Sequence, residues 1–191
     1  MDSLISKKFA DGETEVLETE RLIIRRFRAN DWSDLYEYLS DPQVVKFEPY
    51  GLQTVEQCRI EAAKRAENPA FYAVCLKDNG RLVGNLYLQP SEFNTWEFGF
   101  VFNKRYQGQG YATESARALI DFAFCQLNAR RITAACSNEN ERSWKLLERL
   151  GMRREGLLLQ NVWFKKDSEG NPIWFDSYLY ALLDSEWRIG G

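Results

Sequence analysis

The amino-acid sequence predicts a mixed α+β fold, with a central, mostly antiparallel sheet of about seven strands flanked by about four helices. The first observation is an Asn79-Gly80 pair between two strand-like runs at 71–76 and 81–89, which is a strong signal for an antiparallel hairpin. The second is a strand at 96–102 that leads through a glycine-rich turn and a helix into another strand. A helical crossover of this kind joins parallel strands, so one sheet contains both kinds of pairing.

The first part of the chain supplies one strand and two helices ahead of the hairpin. Residues 22–27 are rich in branched apolar side chains, which favours a strand. An Asn-Asp pair at 30–31 is suited to an N-cap and begins a helix that runs to about Leu39. Thr54, with a glutamine three residues later, forms a capping box and begins a second helix that runs to about Asn68.

The second part supplies two more helices and three more strands. The predicted elements are a helix at 111–127, a strand at 131–136, a helix at 142–150 stopped by Gly151, and a closing hairpin of strands at 152–164 and 173–183. The chain shows no internal repeat, low-complexity tract or linker. We therefore expect a single domain over residues 1–191, in which the polar residues 1–16 form a loosely ordered N-terminal arm.

Composition excludes several classes of protein. The chain lacks an apolar run of membrane-spanning length and a secretory signal pattern, so we expect a cytoplasmic protein without a membrane partner. A net charge of -3 and a pI near 5.3 argue against a nucleic-acid partner. The absence of histidine excludes Ser-His-Asp and Cys-His catalytic systems and most zinc sites, and we expect no metal.

The turn between the 96–102 strand and the next helix contains Gly108 and Gly110. Glycines there allow a tight turn and close approach by a ligand, and the free N–H groups at a helix start favour an anion. A dinucleotide-binding fingerprint would need glycine or alanine where Thr113 stands, and no Walker P-loop lysine follows the glycines. The pattern that fits is (Gln/Arg)-x-x-Gly-x-(Gly/Ala), which begins at Arg105.

This loop and the order of the elements resemble the GNAT N-acetyltransferase superfamily. A second matching motif is Asn140-x-x-Ser143, followed by the sequence Leu-Leu-Glu-Arg-Leu-Gly-Met at 146–152. The pattern Leu-x-Thr-x-Arg-Leu-x-x-Arg at 17–25, together with Tyr178, Tyr180 and Trp187 near the end, resembles the ribosomal-protein N-terminal acetyltransferase-like branch. The resemblance covers residues 16 to 188, and several motifs in the right order make it specific.

The resemblance implies that acetyl-CoA lies in a gap between two parallel strands that splay apart beside the glycine loop. The strand backbone would bind the pantetheine arm, and the loop amides would hold the pyrophosphate. The implied cofactor-binding residues are Phe100, Val101, Phe102, Arg105, Gln107, Gly108, Gln109, Gly110, Tyr111, Ala112, Thr113 and Asn140. Asn140 is equally suited to be the N-cap of its own helix, and the two roles do not exclude each other.

Acetyl transfer to an amine requires a neutral amine, so a proton acceptor is needed. Our candidate is Glu97, because strand alternation places it with Gly99 and Val101 on one face of an aromatic strand. A partly buried face would raise the pKa of this carboxyl, which is the usual tuning of a base. The alternative is that Glu97 is a strand residue facing solvent.

The group that protonates the departing CoA thiolate is harder to place. Many GNAT members use a tyrosine at a position that is Leu147 here. Ser143 stands where the similar branch can use a hydroxyl, although it could also be an ordinary first-turn helix residue. Phe47, Tyr50 and Trp163 are expected to flank the acceptor, or to belong to the core.

The leading hypothesis is an acetyl-CoA-dependent N-acetyltransferase, which acts by direct attack in a ternary complex. Its acceptor is a primary amine, either a protein N-terminus or a small molecule, and the protein is a monomer or homodimer. The replacement of tyrosine by Leu147 leaves open a non-catalytic acyl-CoA-binding or regulatory module. A phosphate- or nucleotide-binding module of another fold would require a different sheet order.

Overall fold

The computed structural model describes residues 17–189. The predicted N-terminal arm, residues 1–16, lies outside the described residues, as do residues 190 and 191. The strands are β1 (Leu17–Glu18), β2 (Leu22–Arg26), β3 (Phe71–Leu76), β4 (Leu82–Pro90), β5 (Thr95–Phe102), β6 (Arg131–Ser137), β7 (Arg153–Lys166) and β8 (Pro172–Leu183). The helices are α1 (Trp32–Leu39), α2 (Val55–Glu67), α3 (Tyr111–Cys125), α4 (Glu141–Arg149) and α5 (Asp184–Ile189).

The strands form one sheet in the order β1-β2-β3-β4-β5-β6-β8-β7. The β5–β6 pair is parallel and the other neighbours are antiparallel, which confirms the predicted mixed and mostly antiparallel sheet. The described part of the chain has eight strands instead of about seven, and five helices instead of about four. The additional elements are β1, with two residues, and α5, with six, and both are too short for periodicity to reveal.

The parallel pair separates soon after it begins. Only three residues of β5, from Thr95 to Glu97, pair with β6. Beyond Glu97, β5 continues to Phe102 with β4 on its other side, while β6 stays paired with β8 as far as Ser137. Among residues 17–189, no strand therefore pairs with the β6-facing edge of β5 over residues 98–102, and a gap opens between the two strands.

Hydrophobic cores cover the two faces of the sheet. One core contains α3 and α4 residues, including Leu119 and Leu147, together with Phe98 and Phe102 of β5. The other is built largely from α1 and α2, and Val101 packs against it. The even-numbered aromatic residues of β5 thus face α3 and α4, as strand alternation predicts, and the odd-numbered residues face α1 and α2.

Gly84 of β4 lies directly opposite Phe102 of β5, at a place that leaves no room for a side chain. A Cβ atom at this position would lie 2.4 Å from Cδ1 of the Phe102 ring, which is itself buried. Gly84→Ala is therefore expected to lower the free energy of unfolding by about 1–3 kcal/mol, because overpacking forces side chains and backbone to shift. Chemical denaturation, checked by the melting temperature, measures the effect.

The matched control is Gly51→Ala, because a Cβ at Gly51 would meet no atom of residues 17–189 within 4 Å and its backbone does not need glycine. We expect that variant to match the wild type or to be slightly more stable, since alanine restricts the unfolded chain. Equal stability of Gly84→Ala and the wild type would show that Phe102 can move aside freely.

Candidate active site

The glycine loop connects the end of β5 with the start of α3. Gly108 has φ +78° and Gly110 has φ +85°, values that glycine adopts without the strain imposed by a Cβ atom. Gly110 is the N-cap of α3, and no side chain in the described part of the chain caps this helix start. The free first-turn amides of this 15-residue helix therefore lie at the loop, together with the positive end of the helix dipole. Both favour the binding of an anion.

Hydrogen bonds from the turn between β1 and β2 hold this helix start in place. The Thr19 hydroxyl donates to Glu114 of α3 at 2.6 Å, and Arg21 Nε donates to the same carboxylate at 2.7 Å. Arg21 also donates to the Gln109 carbonyl at 3.1 Å and lies 4.6 Å above the Tyr111 ring. The Thr-x-Arg pattern near the start of the chain thus connects the sheet edge to the loop.

Glu114 was not singled out by the sequence, because its partners lie about 95 residues away. Burial alone would raise the pKa of Glu114, but hydrogen bonds from Thr19 and Arg21 and the Arg21 charge hold it below its usual value. A lowered pKa means that this carboxylate stabilises the fold at neutral pH. That contribution is lost as the pH falls through the pKa of the folded state.

A second contact fixes the other side of the loop. Gln107 donates to the Phe102 carbonyl at 3.1 Å and accepts from Arg142 of α4 at 2.5 Å. Arg105 is mostly exposed beside them, with its guanidinium 3.8 Å from Glu37. Arginine side chains therefore flank the loop, and their positive charge adds to its suitability for an anionic ligand.

A cavity of about 260 Å³ lies where β5 and β6 part. It is lined by β5 (Phe98, Gly99, Phe100), β6 (Ala134, Ala135, Cys136, Ser137), α4 with its N-cap (Asn140, Ser143, Leu147), the segment before α2 (Lys46, Phe47, Glu48, Pro49) and the β7–β8 hairpin (Asn161, Val162, Phe164, Phe175, Ser177). The structure therefore brings Phe100, Asn140 and Ser143 to one cavity, although they come from different elements.

Asn140 caps α4, since its side-chain oxygen accepts from the Ser143 amide at 3.3 Å. It also lines the cavity, so the capping role is confirmed and the cofactor contact stays a prediction. Ser143 lines the cavity one turn before Leu147, and Leu147 is buried. A hydroxyl at Ser143 is thus available on the α4 side of the cavity, whereas Leu147 offers none.

Glu97 is exposed and does not line the cavity. The prediction that Glu97 is partly buried is therefore wrong, although strand alternation placed the residue on the correct face of the sheet. The physical reason is position along β5: α1 and α2 cover the end that contains Val101, and Glu97 lies four residues away, where β5 and β6 are still paired. Its role as a proton acceptor stays a prediction.

Glu48 is a residue that the sequence reasoning missed. It follows a short 3-10 turn at Val45–Phe47, is half-buried and lines the cavity. Burial raises the pKa of Glu48 to about 7, although a hydrogen bond with Tyr50 and the charge of Arg65 act in the opposite direction. One feature of the sequence could have pointed to Glu48: it is a single carboxylate between Phe47 and a proline, in a segment rich in aromatic residues.

A buried polar network lies behind Glu48. Arg65 of α2 is buried and donates to Glu61 at 2.8 Å and to Asn85 of β4 at 3.0 Å. The same Asn85 oxygen accepts from the Tyr38 hydroxyl at 2.9 Å. Tyr50, whose pKa burial raises above its usual range, interacts with both Glu48 and Arg65. The network thus connects the cavity wall to the α1 and α2 core.

Of the three aromatic residues expected either to flank the acceptor or to belong to the core, only some line the cavity. Phe47 lines the cavity, and Tyr50 lies against the α1 and α2 core. Trp163 is 45% exposed and outside the lining, whereas Phe164 stacks on Phe175 at 6.0 Å and lines it. The expectation for Trp163 rested on the resemblance to the family, in which aromatic residues of the closing hairpin flank the acceptor. Its neighbours along β7, Val162 and Phe164, line the cavity instead, so alternation along the strand places Trp163 on the opposite face.

Within residues 17–189, no group of three or more His, Cys, Asp or Glu side chains is arranged to hold a metal ion. In the same described part of the chain, no helix combines the length and the apolar character needed to cross a membrane.

Comparison with known proteins gives a consistent set of matches. The family described as an acetyltransferase (GNAT) domain matches residues 21–153. The uncharacterized N-acetyltransferase YnaD of Bacillus subtilis (strain 168) is 38% identical over 174 residues, which cover 90% of this chain and 99% of YnaD. The crystal structure of a GNAT-family acetyltransferase from Bacillus anthracis has a TM-score of 0.79 and 36% identity, covering 89% of this chain and 99% of that one.

Two further solved structures show the shared fold at lower identity. The ribosomal-protein-S5-alanine acetyltransferase from Vibrio fischeri has a TM-score of 0.73 and 22% identity, and covers 90% of this chain and 98% of its own. The spermidine N-acetyltransferase from Vibrio cholerae, in complex with CoA and spermine, has a TM-score of 0.73 and 18% identity, and covers 89% and 99%.

Proposed function

Because this chain belongs to the GNAT acetyltransferase family and is an N-acetyltransferase, we propose that it transfers the acetyl group of acetyl-CoA directly to a primary amine in a ternary complex. The observation that carries the proposal is the unpaired edge of β5 beside the glycine loop. The acceptor is a protein N-terminal amine or a small-molecule amine. The family uses acetyl-CoA, and the spermidine N-acetyltransferase of similar fold is in complex with CoA.

In the proposed arrangement, acetyl-CoA enters the gap between β5 and β6. Backbone groups of Phe100, Val101 and Phe102 bind the pantetheine arm as an added strand would. The amides from Gln107 to Thr113 and the Arg105 guanidinium hold the pyrophosphate. This placement is supported by the edge of β5, which no described strand pairs with beyond Glu97, and by the start of α3, which no described side chain caps.

The proposed catalytic residues are Glu97 and Ser143. Ser143 supplies a hydroxyl on the α4 side of the cavity, from which a proton can reach the departing sulfur. Glu97, exposed at the end of the gap, accepts the amine proton through water. With both substrates held in one cavity, proximity contributes much of the rate enhancement.

Replacement of Gly110 by aspartate tests the proposed pyrophosphate site. A Cβ at Gly110 would lie 3.2 Å from Arg21 Nη2, and the backbone there has a left-handed φ of +85°. The added carboxylate also repels a pyrophosphate and attracts Arg21 away from Glu114. Calorimetry is expected to show at least a tenfold weaker affinity for acetyl-CoA, which corresponds to about 1.4 kcal/mol.

The matched control is Gly170→Asp in the β7–β8 turn. Gly170 also has a left-handed φ, +88°, and no described atom lies within 4 Å of its Cβ position, so the substitution adds the same strain and charge away from the loop. Its acetyl-CoA affinity should equal that of the wild type. Wild-type affinity in a folded Gly110→Asp variant would exclude this loop as the binding site.

The function itself is tested by supplying acetyl-CoA together with a panel of primary amines. The panel should include polyamines, aminoglycosides, lysine, and peptides with N-terminal alanine or serine. Because Cys125 is exposed and would react with thiol reagents, the acetylated amine should be followed by mass spectrometry. Formation of one acetylated product supports the proposal, whereas acetyl-CoA binding without any acetylated product would contradict transfer to a primary amine.

A further inference from the structure

The cavity between β5 and β6 contains little charge. Among the described residues that line it, Glu48 carries the only carboxylate and Lys46 the only cationic side chain. The Lys46 ammonium lies 4.5 Å above the Phe47 ring. An aliphatic amine arrives as an ammonium ion at neutral pH, and moving that ion into a half-buried site requires a compensating partner.

We propose that Glu48 binds the ammonium group of the acceptor and takes its first proton, so that the enzyme selects acceptors presented as aliphatic primary ammonium ions. This inference rests on the proposed function, because it concerns the acceptor side of the same cavity. It adds a residue that neither the family motifs nor the sequence pattern pointed to.

The backbone holds Glu48 firmly at the cavity wall. Its amide donates to the Val45 carbonyl at 3.2 Å, and Val45 is buried in the α1 and α2 core. Lys165 of the β7–β8 hairpin donates to the Lys46 carbonyl at 2.8 Å. These hydrogen bonds attach the turn to the core on one side and to the hairpin on the other. The backbone of Glu48 therefore has a defined position at the cavity wall.

Gly99 makes room on the sheet for an acceptor. It lines the cavity and belongs to the odd-numbered residues of β5, on the face toward the α1 and α2 side, where Glu48 also lies. The first atom that a Cβ at Gly99 would meet is the Tyr87 Cβ, at 3.6 Å. The missing side chain therefore leaves the strand backbone open beside the cavity.

The surroundings of Glu48 suit a group that alternates between charged and neutral forms. Burial raises its pKa to about 7, against the Tyr50 hydrogen bond and the Arg65 charge, so both forms are present near neutral pH. Arg65 itself bonds directly to Glu61 and Asn85, and its effect on Glu48 is electrostatic.

The remaining titratable groups around the cavity do not replace Glu48 in this role. Burial raises the pKa of Cys136 on β6 to about 11, so its thiol is neutral when the amine binds. Lys165 on the hairpin donates to a backbone carbonyl, and Lys46 is a cation like the acceptor. The Tyr38 hydroxyl of α1 donates to Asn85, which also accepts from Arg65.

The proposed steps balance in atoms and charge. The ammonium nitrogen loses one proton to the Glu48 carboxylate, and its lone pair then forms a bond to the carbonyl carbon of the acetyl group. The carbon–sulfur bond breaks with its electron pair on sulfur, and the second nitrogen proton ends on the sulfur to give the CoA thiol. Glu48 passes this proton through water to Glu97, which is exposed on the same face of the sheet and releases it to solvent.

The test compares the full chain with Glu48→Gln, using the best acceptor from the amine panel. The turnover of the variant is expected to fall by about 10²–10⁴-fold, the usual effect of losing a general base, with a higher KM for cationic acceptors. Calorimetry should show unchanged acetyl-CoA affinity, because the proposed CoA contacts lie on β5 and the loop. The matched control is Glu67→Gln, an exposed charge removal on α2, which should behave as the wild type.

The pH dependence separates a catalytic role from a structural one. A base must be deprotonated, so wild-type kcat/KM should rise as the pH increases through about 7, and Glu48→Gln should lack that limb. The raised pKa also means that wild-type stability declines as the pH rises from the unfolded-state value of Glu48 toward about 7. The neutral glutamine should remove this decline, so a fall in stability is not expected.

Each outcome decides the inference. If the wild type acetylates an amine and Glu48→Gln retains both its rate and its rising limb, Glu48 is not the proton acceptor. If Glu48→Gln fails to fold, Glu48→Asp decides instead, since it should keep the rising limb at a reduced rate. If the wild type acetylates no amine, the proposed function fails together with this inference, and that result differs visibly from an active but Glu48-independent enzyme.

Discussion

Replacement of Glu97 by glutamine is expected to lower turnover by about 10²-fold while the KM for a cationic acceptor stays near the wild-type value. Removal of a general base costs about 10²–10⁴-fold. The low end applies because the side chain is exposed and water can partly replace it. Acetyl-CoA affinity should not change, because the proposed pantetheine contacts use the backbone of Phe100 to Phe102. A pH–rate profile should show the loss shrinking at high pH, where more of the acceptor is already neutral.

Glu92→Gln is the matched control for this variant, because Glu92 is an exposed carboxylate just before β5. It should leave the profile unchanged. Overlapping profiles for Glu97→Gln and the wild type would make Glu97 a structural strand residue, and would leave Glu48 as the proposed proton acceptor. The KM separates the two carboxylates, since only Glu48 is proposed to bind the ammonium.

Arg65→Met is expected to destabilise the fold by about 3 kcal/mol. Arg65 is 3% exposed, and removing one member of a buried ion pair costs about 3–5 kcal/mol because the partner keeps its desolvation penalty. The low end applies because Glu61 is 33% exposed. The change also removes the stacking of the guanidinium on Phe71, at 4.7 Å. The melting temperature should fall by roughly 6–12 °C for a chain of this size.

Lys64→Met provides the control, since Lys64 precedes Arg65 on α2 and is exposed. A surface substitution of this kind should change stability by less than about 0.5 kcal/mol. Equal denaturation midpoints for Arg65→Met and the wild type would show that methionine packing fully replaces the polar network, which is known to happen for some buried ion pairs when both charges are removed.

Local sequence signals were sufficient for most of the fold. Capping residues, glycines and a two-residue or 3.6-residue period act over a few positions, so Thr54 begins α2, Gly110 begins α3, and the hairpin turns near Gly80, as predicted. The parallel β5–β6 pair also followed from the sequence, because a crossover through α3 leaves little other choice of direction. The resemblance to the family added the prediction that the two parallel strands splay apart, and the short pairing of β5 with β6 confirms it.

The element order, the mixed sheet and the glycine loop could thus be predicted from the sequence, because they depend on neighbours in the chain. Which carboxylates are buried and which are exposed became evident only in the folded protein. Glu97 lies on the predicted face but beyond the cover of α1 and α2, whereas Glu48 lies at the cavity wall. The contact of Glu114 with Thr19 likewise spans 95 residues. Desolvation and long-range hydrogen bonds depend on segments that come into contact only after folding, so a local sequence pattern does not predict them.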